Sequence, residues 1–278
     1  MHPSDFVTSA DGTRIAVYDT GNPNAAATVL AVHGYPDNAS VWNAVTERLA
    51  PEHRVLRYDV RGTGRSDRPR DRRAYRFDRL TDDVDAVLAA FSPDRPVHLL
   101  GHDWGSVQGW HFAAVRPERF TGFTSVSGPN VAYLRPWIRT NLAARNWRPV
   151  LRQLLHSSYI AFFKVPVLPE LAWRSGLVDR IMARREPPAD RSRADKINGL
   201  ELYRANLLSR SPEPARPVRI PVQVIAPTRD AYIGVAVAQQ TPRPWVEQLS
   251  VATVESGHWL PLTEPAYLAQ AVATFIRG

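Results

Sequence analysis

The chain has 278 residues, of which 44% are hydrophobic and 22% are charged, and this composition is typical of a globular protein rather than a disordered one. It contains no cysteine, which excludes disulfides, cysteine metal sites and cysteine nucleophiles. Its apolar runs are short, and the N-terminus has neither a basic nor an apolar region, so the sequence indicates no membrane span and no secretory signal. We therefore expect a cytoplasmic protein with no membrane partner.

Arginine supplies almost all of the positive charge. The 35 Lys and Arg residues outnumber the 27 Asp and Glu residues, which gives a net charge of +8, yet only Lys164 and Lys196 are lysines. Eight arginines lie within residues 61–79, where only Tyr75 and Phe77 interleave with them. A nucleic-acid site would be expected to carry more stacking aromatics or a known reading module. The pattern favours a solvated loop face and no nucleic-acid partner.

Strand and helix patterns alternate along the first half of the chain. Residues 6–9 and 13–18 flank an Asp-Gly pair, which is a hairpin signal. Residues 27–32 form a continuous apolar run, as expected for a strand buried on both faces. Further strand patterns, at 54–60, 97–100 and 121–126, are separated by segments with helical spacing of apolar residues. This alternation predicts an α/β fold with a mostly parallel sheet flanked by helices.

The alternation stops near Pro129 and resumes near Ile220. The intervening residues are helical in pattern and rich in Arg, Trp and Pro, with no clear strand. Strand patterns return at 220–225 and 248–254, and a helix from about Thr263 closes the chain. We predict one α/β core, made of residues 1–133 and 216–278, that is interrupted by a helical cap of residues 134–215.

The sequence GHDWG at residues 101–105 lies between an apolar strand and an amphipathic helix. It has the small-x-nucleophile-x-small spacing of a nucleophile elbow, a tight turn whose crowding requires small residues on both sides. The central residue is Asp103, and the N-terminus of the following helix favours its carboxylate. Asp103 could instead be a simple cap of the helix that begins at Trp104, but the two glycines and the preceding strand favour the elbow.

Two further motifs accompany the elbow: HGYP at residues 33–36 and GHW at residues 257–259. With these three motifs in this order, the chain resembles the α/β-hydrolase superfamily. The Asp at the elbow is similar to the epoxide hydrolase and haloalkane dehalogenase branch, and most like bacterial epoxide hydrolases. The resemblance covers almost the whole chain, more loosely through the cap. The first 130 residues also resemble the hydrolase half of actinobacterial proteins that fuse such a domain to a short-chain dehydrogenase.

A catalytic triad can be assigned from this pattern. Attack by Asp103 on an sp³ carbon would make an alkyl ester, which needs a base-activated water to turn over. His258 is the candidate base, and Asp230, which follows a predicted strand, is the candidate acid that orients it. Nucleophile, acid and base then follow one another in the order of this fold. A structural histidine and a turn aspartate are the alternatives. The backbone N–H groups of Trp104 and, by resemblance, Tyr35 would form the oxyanion hole.

The choice of leaving group depends on the cap. An epoxide opens to an alkoxide, which needs an acid, and the resemblance implies a tyrosine pair from the cap. Tyr203 and Tyr159 match the segments that carry this pair, although two tyrosines could also simply pack together. The residues expected to bind the substrate are Trp104, Phe162 and Phe163. We therefore predict an epoxide hydrolase that acts on a mainly apolar small molecule through a covalent Asp103 ester, with no metal and no cofactor.

Two alternatives stay open. A haloalkane dehalogenase would bind halide through Trp104 and a second donor, often an Asn after His-Gly. Tyr35 occupies that position here, so the second donor would have to be a cap indole from Trp137, Trp147 or Trp173. The fold could also serve as an epoxide-opening cyclase or a binding protein of a biosynthetic pathway. The natural substrate, the selectivity, the oligomeric state and any partner of the loop 61–79 also stay open.

Overall fold

A computed structural model describes residues 2–184, 187, 189–207 and 214–278. The described part of the chain contains one eight-stranded sheet, and its strands in chain order are β1 (Asp5–Thr8), β2 (Arg14–Thr20), β3 (Thr28–Val32), β4 (Arg54–Tyr58), β5 (Val97–His102), β6 (Phe120–Val126), β7 (Val222–Pro227) and β8 (Leu249–Val254). The strand order is β1-β2-β4-β3-β5-β6-β7-β8. The strands β3 to β8 pair in parallel, and only the pairs β1·β2 and β2·β4 are antiparallel. The predicted fold class is confirmed.

Helices connect the strands, as parallel pairing requires. The core helices are α1 (Asn43–Leu49), α2 (Phe77–Phe91), α3 (Trp104–Val115), α11 (Val235–Gln240), α12 (Leu260–Thr263) and α13 (Pro265–Arg277). Between β6 and β7 come α4 (Val131–Ala143), α5 (Trp147–His156), α6 (Tyr159–Lys164), α7 (Leu168–Arg174), α8 (Leu177–Met182), α9 (Arg193–Asn198) and α10 (Leu200–Asn206). Short 3₁₀ helices span Ala39–Trp42, Arg72–Tyr75 and Pro117–Arg119.

The predicted cap therefore consists of seven short helices among the described residues. Its first helix begins at Val131, three residues before the predicted boundary, because the Asn130 side chain caps it by accepting a hydrogen bond from the N–H of Ala132. The predicted end at residue 215 follows residues 208–213, which lie outside the described part of the chain.

Alternate side chains of each central strand enter two different apolar cores. Leu30, Leu56 and Leu99 pack with α2 and α3 on one face of the sheet, whereas Val29 and Leu100 pack with α1 and α13 on the other. Because successive residues of a strand point to opposite faces, the runs at β3 and β5 are apolar throughout. This packing fixes the carboxyl ends of β3, β5, β7 and β8 along one edge, where ligands bind in open α/β sheets.

The prediction that residues 61–79 form a solvated loop face is wrong for Arg61. Its side chain is fully buried and forms ion pairs with Asp83 of α2 and with Asp11 of the first hairpin. Tyr75 and Phe77 are also buried. Arg61 lies in the loop after β4, and its buried guanidinium donates to Asp11, to Asp83 and to the carbonyl oxygen of Ala74. The sequence pattern does not bring these three chain segments together.

Candidate active site

Asp103 occupies the sharp turn between β5 and α3. Its φ of 52° and ψ of −123° lie in a region that non-glycine residues rarely adopt. Its carboxylate makes no capping bond to α3; instead, Oδ1 accepts a hydrogen bond of 2.7 Å from the backbone N–H of Tyr35. A Cβ on Gly105 would lie 1.9 Å from the carbonyl oxygen of Val32, so only glycine lets the turn approach β3. The carboxylate is thus presented to a cavity and does not serve as a helix cap.

The loop after β3 comes unusually close to this carboxylate. A Cβ on Gly34 would lie 2.3 Å from Asp103 Oδ1 and 2.6 Å from the backbone nitrogen of Trp104. Glycine therefore allows the Tyr35 N–H and the first N–H of α3 to approach the same region. Such paired backbone donors are the usual construction of an oxyanion hole.

His258 lies between two carboxylates. Its Nδ1 is 2.9 Å from Asp230 Oδ2, and its Nε2 is 3.5 Å from Asp103 Oδ2. The other oxygen of Asp230 accepts hydrogen bonds from the backbone N–H groups of Tyr232 and Ile233, at 2.8 and 3.0 Å. Asp230 is therefore held in place by its own loop, and it orients the imidazole toward Asp103.

The two carboxylates determine the protonation of the imidazole. Burial lowers the pKa of His258, but the charge of Asp230 and hydrogen bonds with Asp103 and Asp230 outweigh it and raise that pKa to about 10. Burial raises the pKa of Asp230, yet the charge of His258 and three hydrogen bonds keep it below its usual value. At neutral pH the free site therefore holds an imidazolium between two carboxylates.

Two other histidines near these motifs serve as supports. The ring of His33 accepts a hydrogen bond of 2.9 Å from the N–H of Val60 through Nε2. The Nε2 of His102 is 2.9 Å from the carbonyl oxygen of His258 and donates to it. Burial and the charge of His258 lower the pKa of His102 to about 4, so this ring stays neutral. Both contacts hold loops that carry site residues.

The tyrosines predicted from the cap lie above the carboxylate. Tyr159 begins α6 and Tyr203 lies in α10, and their rings meet edge to face with centroids 6.1 Å apart. Burial raises the pKa of Tyr159, and the charge of Asp103 adds to this rise. Burial, Tyr159 and Asp103 raise the pKa of Tyr203 in the same way. Both phenols therefore keep their protons over the whole range in which the protein would act.

Two pockets, of about 530 and 310 Å³, border Asp103, and we call them the larger and the smaller lobe of the cavity. Asp103, Tyr159 and Tyr203 line both of them, so these three side chains lie at the boundary between the lobes. Phe162 and Phe163 line the larger lobe and Trp104 lines the smaller one. The remaining walls are mostly aliphatic and aromatic, which fits an apolar ligand with a polar reacting centre.

The sequence patterns missed the side chain of Tyr35. Its hydroxyl donates to the carbonyl oxygen of Lys196 at 2.9 Å and accepts from the indole N–H of Trp173 at 2.6 Å. The phenol thus joins the oxyanion loop to two cap helices. Nothing in the HGYP motif indicates this contact, because both partners are more than 130 residues away. Tyr232 was also missed, and its ring packs edge to face on His258 at 4.8 Å.

The three cap tryptophans considered as halide ligands do not point to Asp103. The indole of Trp137 donates to Gln240 at 2.8 Å, and that of Trp173 donates to Tyr35. Trp147 lies on the protein surface with 53% of its area exposed. A second halide donor from these residues is therefore not in place.

Among the residues that the structure describes, every helix is too short or too polar to span a bilayer. No group of three or more His, Asp or Glu side chains among them is arranged to hold a metal ion.

The family of this chain follows from comparison with known proteins. A family model described as alpha/beta hydrolase fold matches residues 27–265. A probable oxidoreductase of Mycobacterium tuberculosis, EphD, is 38% identical over 294 aligned positions, which cover 98% of this chain and 49% of that protein. Epoxide hydrolase A of the same organism is 31% identical over 237 positions, covering 84% of this chain and 69% of that protein. The chain belongs to the α/β-hydrolase family, and it spans about half the length of EphD.

Solved structures show the same fold. An epoxide hydrolase from Bacillus megaterium, in complex with its diol product, superposes with a TM-score of 0.82 at 21% identity, covering 99% of this chain and all of that one. An epoxide hydrolase from hot-environment metagenomes superposes with a TM-score of 0.81 at 22% identity, covering 98% and 97% of the two chains. The predicted resemblance to α/β hydrolases of the epoxide hydrolase branch is confirmed.

Proposed function

We propose that this chain is an epoxide hydrolase that converts a mainly apolar epoxide to a vicinal diol. The observation that carries the proposal is the position of Asp103, whose carboxylate lies between the His258–Asp230 pair and two protonated cap tyrosines. The names of Epoxide hydrolase A and of the solved structures support the same activity. The proposal includes that the protein is located in the cytoplasm and that residues 134–215 form the cap over the active site.

In the first step Asp103 acts as the nucleophile. Oδ1 is held by the Tyr35 N–H, so we assign the attack on an epoxide carbon to Oδ2, which lies 3.5 Å from His258 Nε2. The carbon–oxygen bond of the ring breaks, and the alkoxide takes a proton from Tyr203 or Tyr159. Because the pKa of both phenols is raised, they are protonated before the reaction and can donate without a prior ionisation. The product of this step is an ester of Asp103.

Ester formation also activates the base. The charge of Asp103 and its hydrogen bond help to raise the pKa of His258, and both are weakened when the carboxylate becomes a neutral ester. The pKa of His258 therefore falls, so the imidazolium can pass its proton by way of solvent to the tyrosinate left by the first step, and the neutral imidazole can then take a proton from water. The hydroxide so formed adds to the ester carbonyl carbon, and the negative charge develops on Oδ1 beside the Tyr35 N–H. The bond between that carbon and Oδ2 then breaks, and Oδ2 leaves with the diol and takes the proton held by His258. The new carboxylic acid returns its proton to His258, which restores the Asp103 carboxylate and the imidazolium.

The site favours an epoxide over a haloalkane. A departing halide needs two donors, and two of the cap indoles that could supply the second are bonded to protein acceptors while the third is on the surface. A departing alkoxide needs an acid, and Tyr159 and Tyr203 both border the lobes that contain Asp103. A cyclase would use the same first step, with a substrate hydroxyl in place of water.

The test is the intact mass of a His258→Gln variant after brief exposure to styrene oxide and, separately, to 1-bromobutane. Without its base, the variant should accumulate the Asp103 ester, with a mass gain equal to the whole epoxide. The double variant Asp103→Ala/His258→Gln is the control, and it should show no gain.

Other outcomes contradict the proposal in different ways. A gain of only the alkyl group, from the bromoalkane alone, would identify a dehalogenase. An equal gain in the control would show that another residue is alkylated, and no adduct from either reagent would argue against epoxide opening.

A further inference from the structure

Exposed apolar side chains are concentrated on the cap. Among the described residues, twelve large hydrophobic side chains are exposed, and eleven of them lie between residues 142 and 181. They are Leu142, Trp147, Leu151, Leu154, Leu155, Val165, Val167, Leu168, Leu171, Leu177 and Ile181. The twelfth is Phe6, on the core. A cluster of this size on a soluble domain marks a surface that meets another apolar phase.

The helix α5 shows how this surface is built. Trp147, Leu151, Leu154 and Leu155 are spaced so that they share one side of the helix. The opposite side is occupied by residues that pack inward, among them Gln153, whose amide bonds the loop after β7. The exposed side is therefore not needed to attach α5 to the protein.

A second group of exposed residues lies on α7 and α8, and the two groups meet at the cavity. Leu168 and Leu171 are one turn apart on α7, and Leu177 and Ile181 are one turn apart on α8. Leu155 of the first group and Ile181 of the second both line the larger lobe. The surface formed by these eleven residues, which we call the apolar cap face, therefore includes the rim of the proposed active site.

The same segment carries most of the net charge. Residues 134–184 contain nine Arg and Lys but only two Asp and Glu, so they account for +7 of the net charge of +8. The two acids, Glu170 and Asp179, are paired with Arg204 and Lys196 of the cap. Exposed arginines such as Arg148 and Arg152 lie directly beside the apolar residues of α5.

We propose that the apolar cap face docks on an anionic phospholipid bilayer and turns the mouth of the larger lobe toward the lipid. Apolar side chains flanked by cations are the combination that binds the interface of an anionic membrane without crossing it. A second copy of this chain fits less well, because an isologous contact would bring together two copies of a segment, residues 134–184, with a net charge of +7. The proposal replaces the expectation that the protein has no membrane partner. Entry of an epoxide from the lipid rests on the proposed function, whereas docking does not.

The experiment is sedimentation of the full chain with phosphatidylcholine vesicles, with and without phosphatidylglycerol. We expect binding to the anionic vesicles only, weakened by added salt. Arg148→Glu/Arg152→Glu should lower the partition coefficient at least about tenfold, and Trp147→Ser/Leu151→Ser should lower it by a similar factor. Neither pair lines the cavity, so both variants should hydrolyse dissolved styrene oxide as the wild type does.

Matched controls on the core are Arg70→Glu/Arg243→Glu, with the same change of charge, and Phe6→Ser, which removes the exposed aromatic of the core. Both should bind anionic vesicles like the wild type. Wild-type protein that does not sediment with anionic vesicles would overturn the proposal, and so would core controls that lose as much binding as the cap variants. A dimer that the cap substitutions abolish, without vesicle binding, would assign the face to self-association. Vesicle binding without epoxide hydrolysis would refute only the proposed activity.

Discussion

The core and the cap contribute to one cavity in different ways. The core places Asp103, Asp230 and His258 at the ends of strands, where backbone N–H groups hold the two carboxylates and Asp230 holds the imidazole. The cap places Tyr159 and Tyr203 on helices of six and seven residues, where aromatic packing positions them. In the proposed mechanism, the core therefore fixes the nucleophile and the base, and the cap supplies the acid and the access route.

The core and the cap meet different requirements of the proposed reaction. A nucleophile and its base have to keep one geometry through both steps, and a sheet edge with paired backbone groups provides it. The acid and the apolar walls have to match a particular substrate, and short helices that lie outside the sheet can be altered without disturbing its strands. Variants of the two regions should therefore fail in different steps of the reaction.

The largest effect is expected at the nucleophile. Asp103→Ala removes the carboxylate that forms the ester, so diol formation should fall by more than about ten-thousandfold. The measurement is kcat/KM for styrene oxide by diol detection. Asp94→Ala, which removes an exposed carboxylate of the core, should leave the rate unchanged. Appreciable diol formation by Asp103→Ala would refute the covalent mechanism.

The next effect concerns the orienting acid. Asp230→Asn keeps the shape of the side chain but removes the charge that supports the imidazolium, so hydrolysis of the ester should slow by about a hundredfold to ten-thousandfold. Ester formation should slow less, because Asp103 does not need a base. Rapid-quench kinetics with mass detection of the ester separates the two steps. Equal slowing of both would contradict the assigned role of Asp230.

The same variant gives a pH prediction. The pKa of His258 is raised from 6.5 to about 10 in the folded protein, so its protonation stabilises the fold fully below about pH 6.5 and this stabilisation is lost as the pH rises through 10. In Asp230→Asn the loss should occur at lower pH. Urea unfolding of both proteins between pH 6 and 10.5 measures the difference; identical pH profiles would contradict the charge coupling.

One ion pair in the core and one in the cap should contribute differently to the free energy of unfolding. Asp83 of the core is 1% exposed in its pair with Arg61, whereas Glu170 of the cap is 19% exposed in its pair with Arg204. Asp83→Ala leaves a buried guanidinium without its main partner and should lower the free energy of unfolding by about 3–5 kcal/mol. Glu170→Ala should lower it by about 1 kcal/mol, because water screens that pair. Urea unfolding measures both, and equal losses would contradict the burial argument.

The smallest effect on activity is expected in the cap. Tyr203→Phe removes one of two acids, so ester formation should slow by about a hundredfold while ester hydrolysis changes little. Tyr133→Phe is the matched control, since it removes a phenol that bonds the carbonyl oxygen of Arg216 and does not line either lobe. If Tyr203→Phe slows hydrolysis of the ester more than it slows formation of the ester, the acid role is contradicted.

The sequence by itself determined the sheet and the strand-end residues of the proposed site. The apolar runs of β3 and β5 and the glycines around Asp103 predict buried strands and a tight turn, because both depend on neighbours along the chain. The resemblance to the family added His258 and Asp230, which both follow predicted strands, and parallel strands end along one edge.

Only the tertiary structure decided the contacts between distant segments. It buried Arg61 among acids of two other elements, joined the Tyr35 phenol to cap helices, and left one side of α5 uncovered. The spacing of apolar residues predicts which side of a helix is apolar, but it does not predict whether that side packs on the core or faces the solvent. That outcome depends on how the helices pack, and so the apolar cap face could not be predicted from its residues alone.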